Sequence, residues 1–279
     1  MVRGDRRLPA GASRLTAAGR PVALVRDVPA SFVSCVTAQP SVPPLDAGLA
    51  RLQHAAYAAA LQSGGFAVFR APATPRHPDS PFIEDTAVVV GDRALITNPG
   101  HPSRRGEVPD VAEALARWVR VEVMEEGTLD GGDVLQVGGR VFVGASMRSD
   151  AAGIAALARF CGSVEVVAVP VRATLHLKSG VSALDPDTVL WHPAACDRAD
   201  LIGVRVIEVP GDDPEAANVV RLPDGSILTA QHHRLTADLA ASLGFPVRTV
   251  DVSEFARADG GLTCLSLRLR SVGAVSSEP

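Results

Sequence analysis

The chain has 279 residues, 47% of them hydrophobic, and its 27 basic and 31 acidic side chains give a formal charge of −4. That size and apolar share are those of a folded globular protein. The slight negative charge excludes a general attraction to nucleic acid or to an anionic membrane surface, and no apolar run approaches the roughly 18 residues of a membrane helix.

Residues 1–20 carry Arg3, Arg6, Arg7, Arg14 and Arg20 with no apolar stretch behind them, so no secretory signal is expected. Asp5 and the proline and glycine content favour a frayed tail over a transit peptide. A second tail is expected over residues 271–279, with one domain, residues 21–270, between the two. The four cysteines, at 35, 161, 196 and 264, form no Cys-x-x-Cys pair. That argues against a disulfide framework and a structural zinc site, and makes a reducing, cytoplasmic setting the expectation.

Between the tails one pattern recurs: a strand, a tight turn, a returning strand, a helix and a further strand. In the first unit residues 82–90 read as a strand, Gly91-Asp92-Arg93 as its turn and residues 94–97 as the return. Val111, Leu115 and Trp118 mark a helix face, and residues 119–123 the closing strand. The second unit starts at Leu129-Asp130-Gly131-Gly132-Asp133 and turns at Gly138-Gly139-Arg140. Asp150 is placed to cap a helix with Ile154, Leu157 and Cys161 on one face. The third runs from Leu175-His176 through a turn at Asp185-Pro186-Asp187 to a short helix over residues 195–201 and a strand over 204–209. The fourth opens at Ala217-Asn218 and turns at Pro223-Asp224-Gly225. Leu235, Leu239 and Leu243 stripe its helix before Gly244 ends it. The fifth is shared between the chain ends: a strand over residues 263–269 pairs with one over 21–25, and a helix over 52–61 and a strand over 67–69 complete the unit.

Five ββαβ units of roughly 40 to 50 residues are the period of a propeller-like array. The alternative, a doubly wound parallel sheet, also alternates strands and helices. Strands joined by two or three residues must be antiparallel, however, and that favours the propeller. Sharing a unit between the termini closes the ring and leaves no open sheet edge. Internal symmetry directs attention to the axis, where equivalent strand starts converge: Glu84-Asp85, Asp130, His176, Asn218 and Cys264.

Alone, Cys264 after a Gly-Gly turn reads as a small buried hydrophobe. The neighbours supplied by the symmetry change that. A thiolate is a strong nucleophile and a nearby histidine can activate it or carry its proton. Carboxylates sharing a cavity imply a cationic ligand, because unpaired they would repel; a guanidinium matches two carboxylates well. Cys264 would then attack the guanidinium carbon, and His176 would protonate the leaving amine and activate water. The pair Arg104-Arg105 and Arg148 follow return strands in successive units, and an arginine there could clamp a carboxylate at the other end of such a substrate.

Other signals are weaker. His232-His233 lacks a third metal ligand at useful spacing, and Gly144-Ala145-Ser146-Met147-Arg148 lacks the closing glycine of a serine-nucleophile turn. Asp133 is expected to fix a turn, Cys35, Cys161 and Cys196 to pack, and His54 and His192 to be structural or exposed.

Phe82-Ile83-Glu84-Asp85, the loop from Asn98 through Ser103-Arg104-Arg105-Gly106-Glu107, Leu129-Asp130-Gly131-Gly132-Asp133, Leu175-His176-Leu177-Lys178-Ser179 and Leu262-Thr263-Cys264 together resemble the dimethylarginine dimethylaminohydrolases. That family has a five-bladed α/β propeller, the pentein fold. The resemblance spans residues 22–269, in the family's order. It implies Cys264 as nucleophile, His176 as general acid and base, and Asp130 as the residue that orients His176 and the guanidinium. Glu84 and Asp85 would bind the guanidinium, Asp79 the substrate's α-amino group, and Arg104 and Arg148 its carboxylate, with the Ala258 carbonyl nearby. The His176-Leu177-Lys178 spelling resembles the dimethylargininases rather than arginine deiminases, which usually have His-x-Asp. The sequence departs from the family in its N-terminal lid, residues 31–37, where Thr37 replaces an expected leucine, and Leu265 stands where mammalian relatives have a second cysteine. The resemblance implies a small-molecule substrate, no metal and no organic cofactor, in a monomer or homodimer. Two other readings stay open: a hydrolase of another guanidino compound, such as an arginine deiminase, and a catalytically silent binding protein of the same fold.

Overall fold

In a computed structural model, residues 19–38 and 42–269 are described. The expected C-terminal tail over 271–279 lies outside the described residues, as does all of the N-terminal one except Gly19 and Arg20.

The strands form five separate three-stranded sheets. The shared blade comprises β1 (Val22–Arg26), β2 (Ala67–Ala71) and, from the far end of the chain, β15 (Leu267–Leu269). The others follow in order: β3 (Ala87–Val90), β4 (Arg93–Ile96) and β5 (Arg120–Val123); β6 (Val134–Val137), β7 (Arg140–Ala145) and β8 (Val166–Pro170); β9 (Val181–Ala183), β10 (Thr188–Trp191) and β11 (Arg205–Glu208); β12 (Val220–Arg221), β13 (Ile227–Ala230) and β14 (Val247–Val250). Each blade has one antiparallel and one parallel pair. The antiparallel pair follows from a tight turn. Val137 pairs with Arg140 across Gly138 and Gly139, both at positive φ, a two-residue hairpin that other residues would strain. The parallel pair follows from a crossover.

Helices α1 (Ala47–Ser63), α2 (Val108–Leu115), α3 (Ala151–Cys161) and α4 (Arg234–Ser242) provide four of the five crossovers. Asp46 starts α1 earlier than the apolar pattern suggests, since its carboxylate accepts the N–H groups of Gly48 and Leu49. Ala50, His54, Tyr57, Ala58 and Leu61 then face inward. Asp150 caps α3 as expected, through the Gly153 N–H at 2.8 Å. The inward face of α4 is rotated from the leucine stripe: Thr236 and Ala240 are buried and Leu235 is 60% exposed. In the third blade the expected helix over 195–201 is only a 3₁₀ turn, Arg198–Asp200. The segment is too short to repay helix nucleation, and the Trp191 indole N–H takes the Cys196 carbonyl.

A second difference concerns the inner strands. Residues 82–86 and 263–265 read as strand in the sequence. Instead each inner strand is preceded by a 3₁₀ turn: Ile83–Thr86, Gly131–Asp133, Leu177–Ser179, Pro214–Ala217 and Thr263–Leu265. Apolar residues continue through these turns, which makes them look like strand. Their polar side chains bond to the neighbouring blade instead of alternating with it. Asp85 accepts the N–H of Gly132 at 2.9 Å, and Asp133 that of Leu177 at 2.9 Å. Ser182 accepts from Val219 at 3.2 Å and Asn218 from Thr263 at 3.0 Å, and Arg268 donates to Glu84 at 2.9 Å. The ring closes through these five links and not through a continuous ladder. Each blade therefore keeps its own sheet edges, contrary to the expectation of none.

The core is divided among clusters of neighbouring blades. One of them fixes the N-terminal lid. Phe32, in the 3₁₀ turn Ala30–Ser34, is fully buried, 5.2 Å from the Phe255 ring and 6.1 Å from Phe82.

Asp133 carries more than its link to the next blade. It is fully buried and also accepts the hydroxyls of Ser146 and Ser149 at 2.6 Å each. Asp133→Ala leaves three buried donors without an acceptor and is expected to cost about 3 kcal/mol or more in urea unfolding with an unchanged m-value. A loss below about 0.5 kcal/mol would contradict the ring of links.

Candidate active site

The turns place five chemically able side chains around the axis. Gly131 and Gly132 let them approach. A Cβ on Gly131 would lie 2.0 Å from the Glu84 carbonyl oxygen, and one on Gly132 would lie 2.6 Å from Asp85 Oδ1 and 2.7 Å from His176 Nδ1. Gly261 serves the Cys264 turn in the same way, because a Cβ there would overlap the Asn218 side chain.

Cys264, His176, Asp85, Asp79, Arg104, Arg148 and Ala258 line one cavity of about 30 Å³, together with Val36 from the lid. That is room for a water or two, not for an amino acid. His176 Nε2 lies 2.9 Å from Asp130 Oδ2 and 3.9 Å from Asp85 Oδ1. Asp130 is fully buried, its other oxygen accepting the Gly100 N–H at 2.8 Å, and Arg148 Nη1 stands 3.8 Å from Oδ2. Asp130 therefore touches the imidazole and not the cavity.

Three predicted residues stand elsewhere than expected. Arg104 is not a free clamp. It is buried in its own 3₁₀ turn, Pro102–Glu107, with Nη1 on Asp85, Nε and Nη2 on Glu107, and Nη2 also on the Phe82 carbonyl. Only one N–H of its five, on Nη1, is left for a ligand. Glu84 faces away from this cavity: its Oε1 takes Lys178 Nζ at 2.6 Å and Arg268 at 2.9 Å, and its Oε2 is buried without a hydrogen-bond partner among the described residues. Thr37 is half-buried and lines no part of the cavity, whereas Val36 beside it does and donates its N–H to Asp79 Oδ1 at 3.0 Å.

Sequence reading passed over Asn218, Asp259 and Glu107. Asn218 holds the Cys264 turn, accepting the Thr263 N–H while its amide donates to the Lys178 carbonyl at 3.0 Å and to Thr263 Oγ1 at 3.2 Å. Its place in the repeat was the available signal. Asp259, which lines the cavity at φ +56°, accepts the Ala38 N–H and so holds the lid beside Asp79. Glu107 sits in the quoted loop motif, but only the fold shows that it occupies Arg104.

The electrostatics separate the two central groups. Burial opposes charge on His176, but Asp85, the hydrogen bond with Asp130 and the charge of Asp133 outweigh it and raise the imidazole to about 9. Burial, with the charges of Glu84 and Asp85, pushes the Cys264 thiol up to about 12. Burial also acts against the Asp85 anion, but His176 and Arg104 hold it below its usual value. At neutral pH the pair is thus a thiol and an imidazolium. Asp85, Asp130 and His176 offer ligand atoms within 4.8 Å of one another, the metal-like cluster found among the described residues. Asp85 is already engaged by Arg104 and the Gly132 N–H. The His232–His233 rings stack at 4.1 Å, and His233 reaches Asp213 only at 3.9 Å. No described helix is long and apolar enough to cross a membrane.

The chain is similar to known proteins in sequence and fold. A family model described as arginine deiminase matches residues 106–216. An N(G),N(G)-dimethylarginine dimethylaminohydrolase of Streptomyces coelicolor is 42% identical over 236 residues, 82% of this chain and 89% of that protein. One of Pseudomonas aeruginosa is 36% identical over 225 residues, 77% of this chain and 87% of the other. A solved structure of the P. aeruginosa protein, a cysteine-to-serine mutant complexed with citrulline, superimposes with a TM-score of 0.82 at 30% identity, covering 90% of this chain and 99% of that one. The chain belongs to the dimethylarginine dimethylaminohydrolase family, and its five blades are the α/β propeller of the pentein fold.

Proposed function

We propose that the protein hydrolyses Nω,Nω-dimethyl-L-arginine, and Nω-monomethyl-L-arginine, to L-citrulline and dimethylamine or methylamine, through a covalent thiouronium on Cys264. The observation that carries this reading is the single small cavity onto which a thiol, a protonated imidazole and a buried carboxylate all face, with Asp79 and Arg148 at its edge. The similarity to a protein solved with citrulline supports the product.

Charge links binding to chemistry. Burial, with the charges of Glu84 and Asp85, disfavours the thiolate. A guanidinium entering against Asp85 offsets the negative charge, so the cation itself favours ionisation of Cys264, whose proton passes to solvent because His176 is already protonated. The thiolate attacks the guanidinium carbon, forming the C–S bond. The bond to the methylated nitrogen breaks as His176 gives that nitrogen its proton, and the alkylamine leaves. His176, now neutral and held by Asp130, takes a proton from water. The hydroxide adds to the thiouronium carbon, the C–S bond breaks, and citrulline leaves with the thiol restored. Asp79 is assigned to the α-ammonium and Arg148, with the spare N–H of Arg104, to the carboxylate; the Ala258 carbonyl lies along the path.

Lys178 supports a methylated substrate. It occupies Glu84, leaving Asp85 as the acceptor for the guanidinium. A dimethylated nitrogen carries no N–H and needs no second carboxylate. The family match over 106–216 favours, as a second reading, deimination of unmethylated arginine.

Cys264→Ser is expected to lower turnover of dimethylarginine more than about a thousandfold while circular dichroism stays native. In acid-quenched wild-type turnover, the Cys264 peptide should carry the thiouronium mass. A variant that retains turnover would remove Cys264 from the reaction. The raised thiol pKa has its own signature. Iodoacetamide labelling of Cys264 in the free protein, read by peptide mass spectrometry, should accelerate about tenfold per pH unit between pH 7 and 9. A rate that levels off below pH 8 would show a thiolate already formed without substrate.

A further inference from the structure

The ring has a second opening on its axis. A cavity of about 230 Å³ is bounded by inner strands β3, β6, β9 and β12 and, behind Cys264, by Thr263 of the catalytic turn. It shares no lining residue with the cavity that holds Cys264 and His176. Three cations line it, Lys178, Arg221 and Arg268, and no carboxylate does. The nearest anion is Glu84, in an adjoining space of about 70 Å³ that also borders Lys178 and Arg268. Both of these cations share its Oε1.

The charges do not balance. Lys178 is only 9% exposed, and its ammonium has three N–H bonds. One meets Glu84; among the described residues no other partner is found. Arg221, half-buried on β12, makes no side-chain hydrogen bond or ion pair among the described residues. Ser182 and Thr263 spend their hydroxyl oxygens as acceptors, toward Val219 and Asn218, which leaves both O–H groups to donate inward. One carboxylate against three cations leaves two positive charges around a partly open, polar space. A buried ammonium with unmet donors is costly, and walls of low dielectric concentrate the resulting field.

We propose that this axial cavity binds a small oxyanion, held by Arg221, Lys178 and Arg268 and separated from the reacting thiol by the Glu84–Lys178 pair. Two uncompensated charges match hydrogen phosphate better than a monocarboxylate, and the guanidinium of Arg221 offers the two-pronged grip. The site stands independently of the hydrolysis proposed above.

The test is calorimetric titration of the full chain with inorganic phosphate and, separately, acetate at constant ionic strength. One phosphate per chain is expected, bound more tightly than acetate and undisturbed by saturating citrulline. Arg221→Gln should weaken it about tenfold or more. Arg221→Lys, which keeps the charge and the fold of β12, should weaken it less. Tighter acetate would identify the ligand as a carboxylate in the same site. Absence of saturable binding of either anion, binding indifferent to both Arg221 variants, or displacement by citrulline, which would place the anion at Arg148, would each overturn the proposal.

Discussion

The structure depends on the hydrogen bonds by which each blade's polar side chain meets the next blade. Five independent three-stranded sheets have no shared ladder to hold them in a ring. The links Asp85 to Gly132, Asp133 to Leu177, Ser182 to Val219, Asn218 to Thr263 and Arg268 to Glu84 do that work at the axis. They are buried and partly charged, so losing one strands a donor or an ion out of water. The side chains proposed for catalysis lie on or beside the turns of this ring. Whatever holds the ring together therefore fixes the distances between thiol, imidazole and carboxylates, which is the rigidity that reaction geometry demands.

The same economy governs charge. Asp85 links two blades, pairs with Arg104 and faces the cavity. Arg104 is shared between Asp85 and Glu107, so one cation faces two carboxylates and the buried cluster keeps a formal negative charge that suits a cationic ligand. Breaking such a pair from one side is expensive, which explains why Arg104 has so little left for a substrate. Asp85, Asp130 and Asp133 outweigh burial to raise the His176 imidazole, while burial, with Glu84 and Asp85, raises the Cys264 thiol.

The blades could be read from the sequence because tight turns such as Gly138-Gly139 and Pro223-Asp224-Gly225 force antiparallel pairs and recur at one period. The axial set could be read because symmetry aligns Asp130, His176 and Cys264. What could not be read was direction. Phe82-Ile83 and Leu262-Thr263 look like strand because the apolar run passes through a 3₁₀ turn without interruption. Nothing local shows that Glu84 and Asp85, adjacent in sequence, point into different spaces. Nor does the pair Arg104-Arg105 show which is buried: Glu107, three residues on, and Asp85, from the turn that opens the same blade, decide that. Asn218 was aligned with the catalytic residues by the repeat, yet an amide has no proton chemistry to suggest a role. Its function is mechanical, as the clamp on Thr263.

The central claim is that this thiol–imidazolium pair cleaves a methylated guanidinium. Its most direct test is product analysis on purified protein given asymmetric dimethylarginine, monomethylarginine and arginine side by side. Citrulline with dimethylamine and methylamine from the first two, and little ammonia from arginine, is the predicted result. Citrulline and ammonia from arginine in preference, or no product from any of the three, would contradict it.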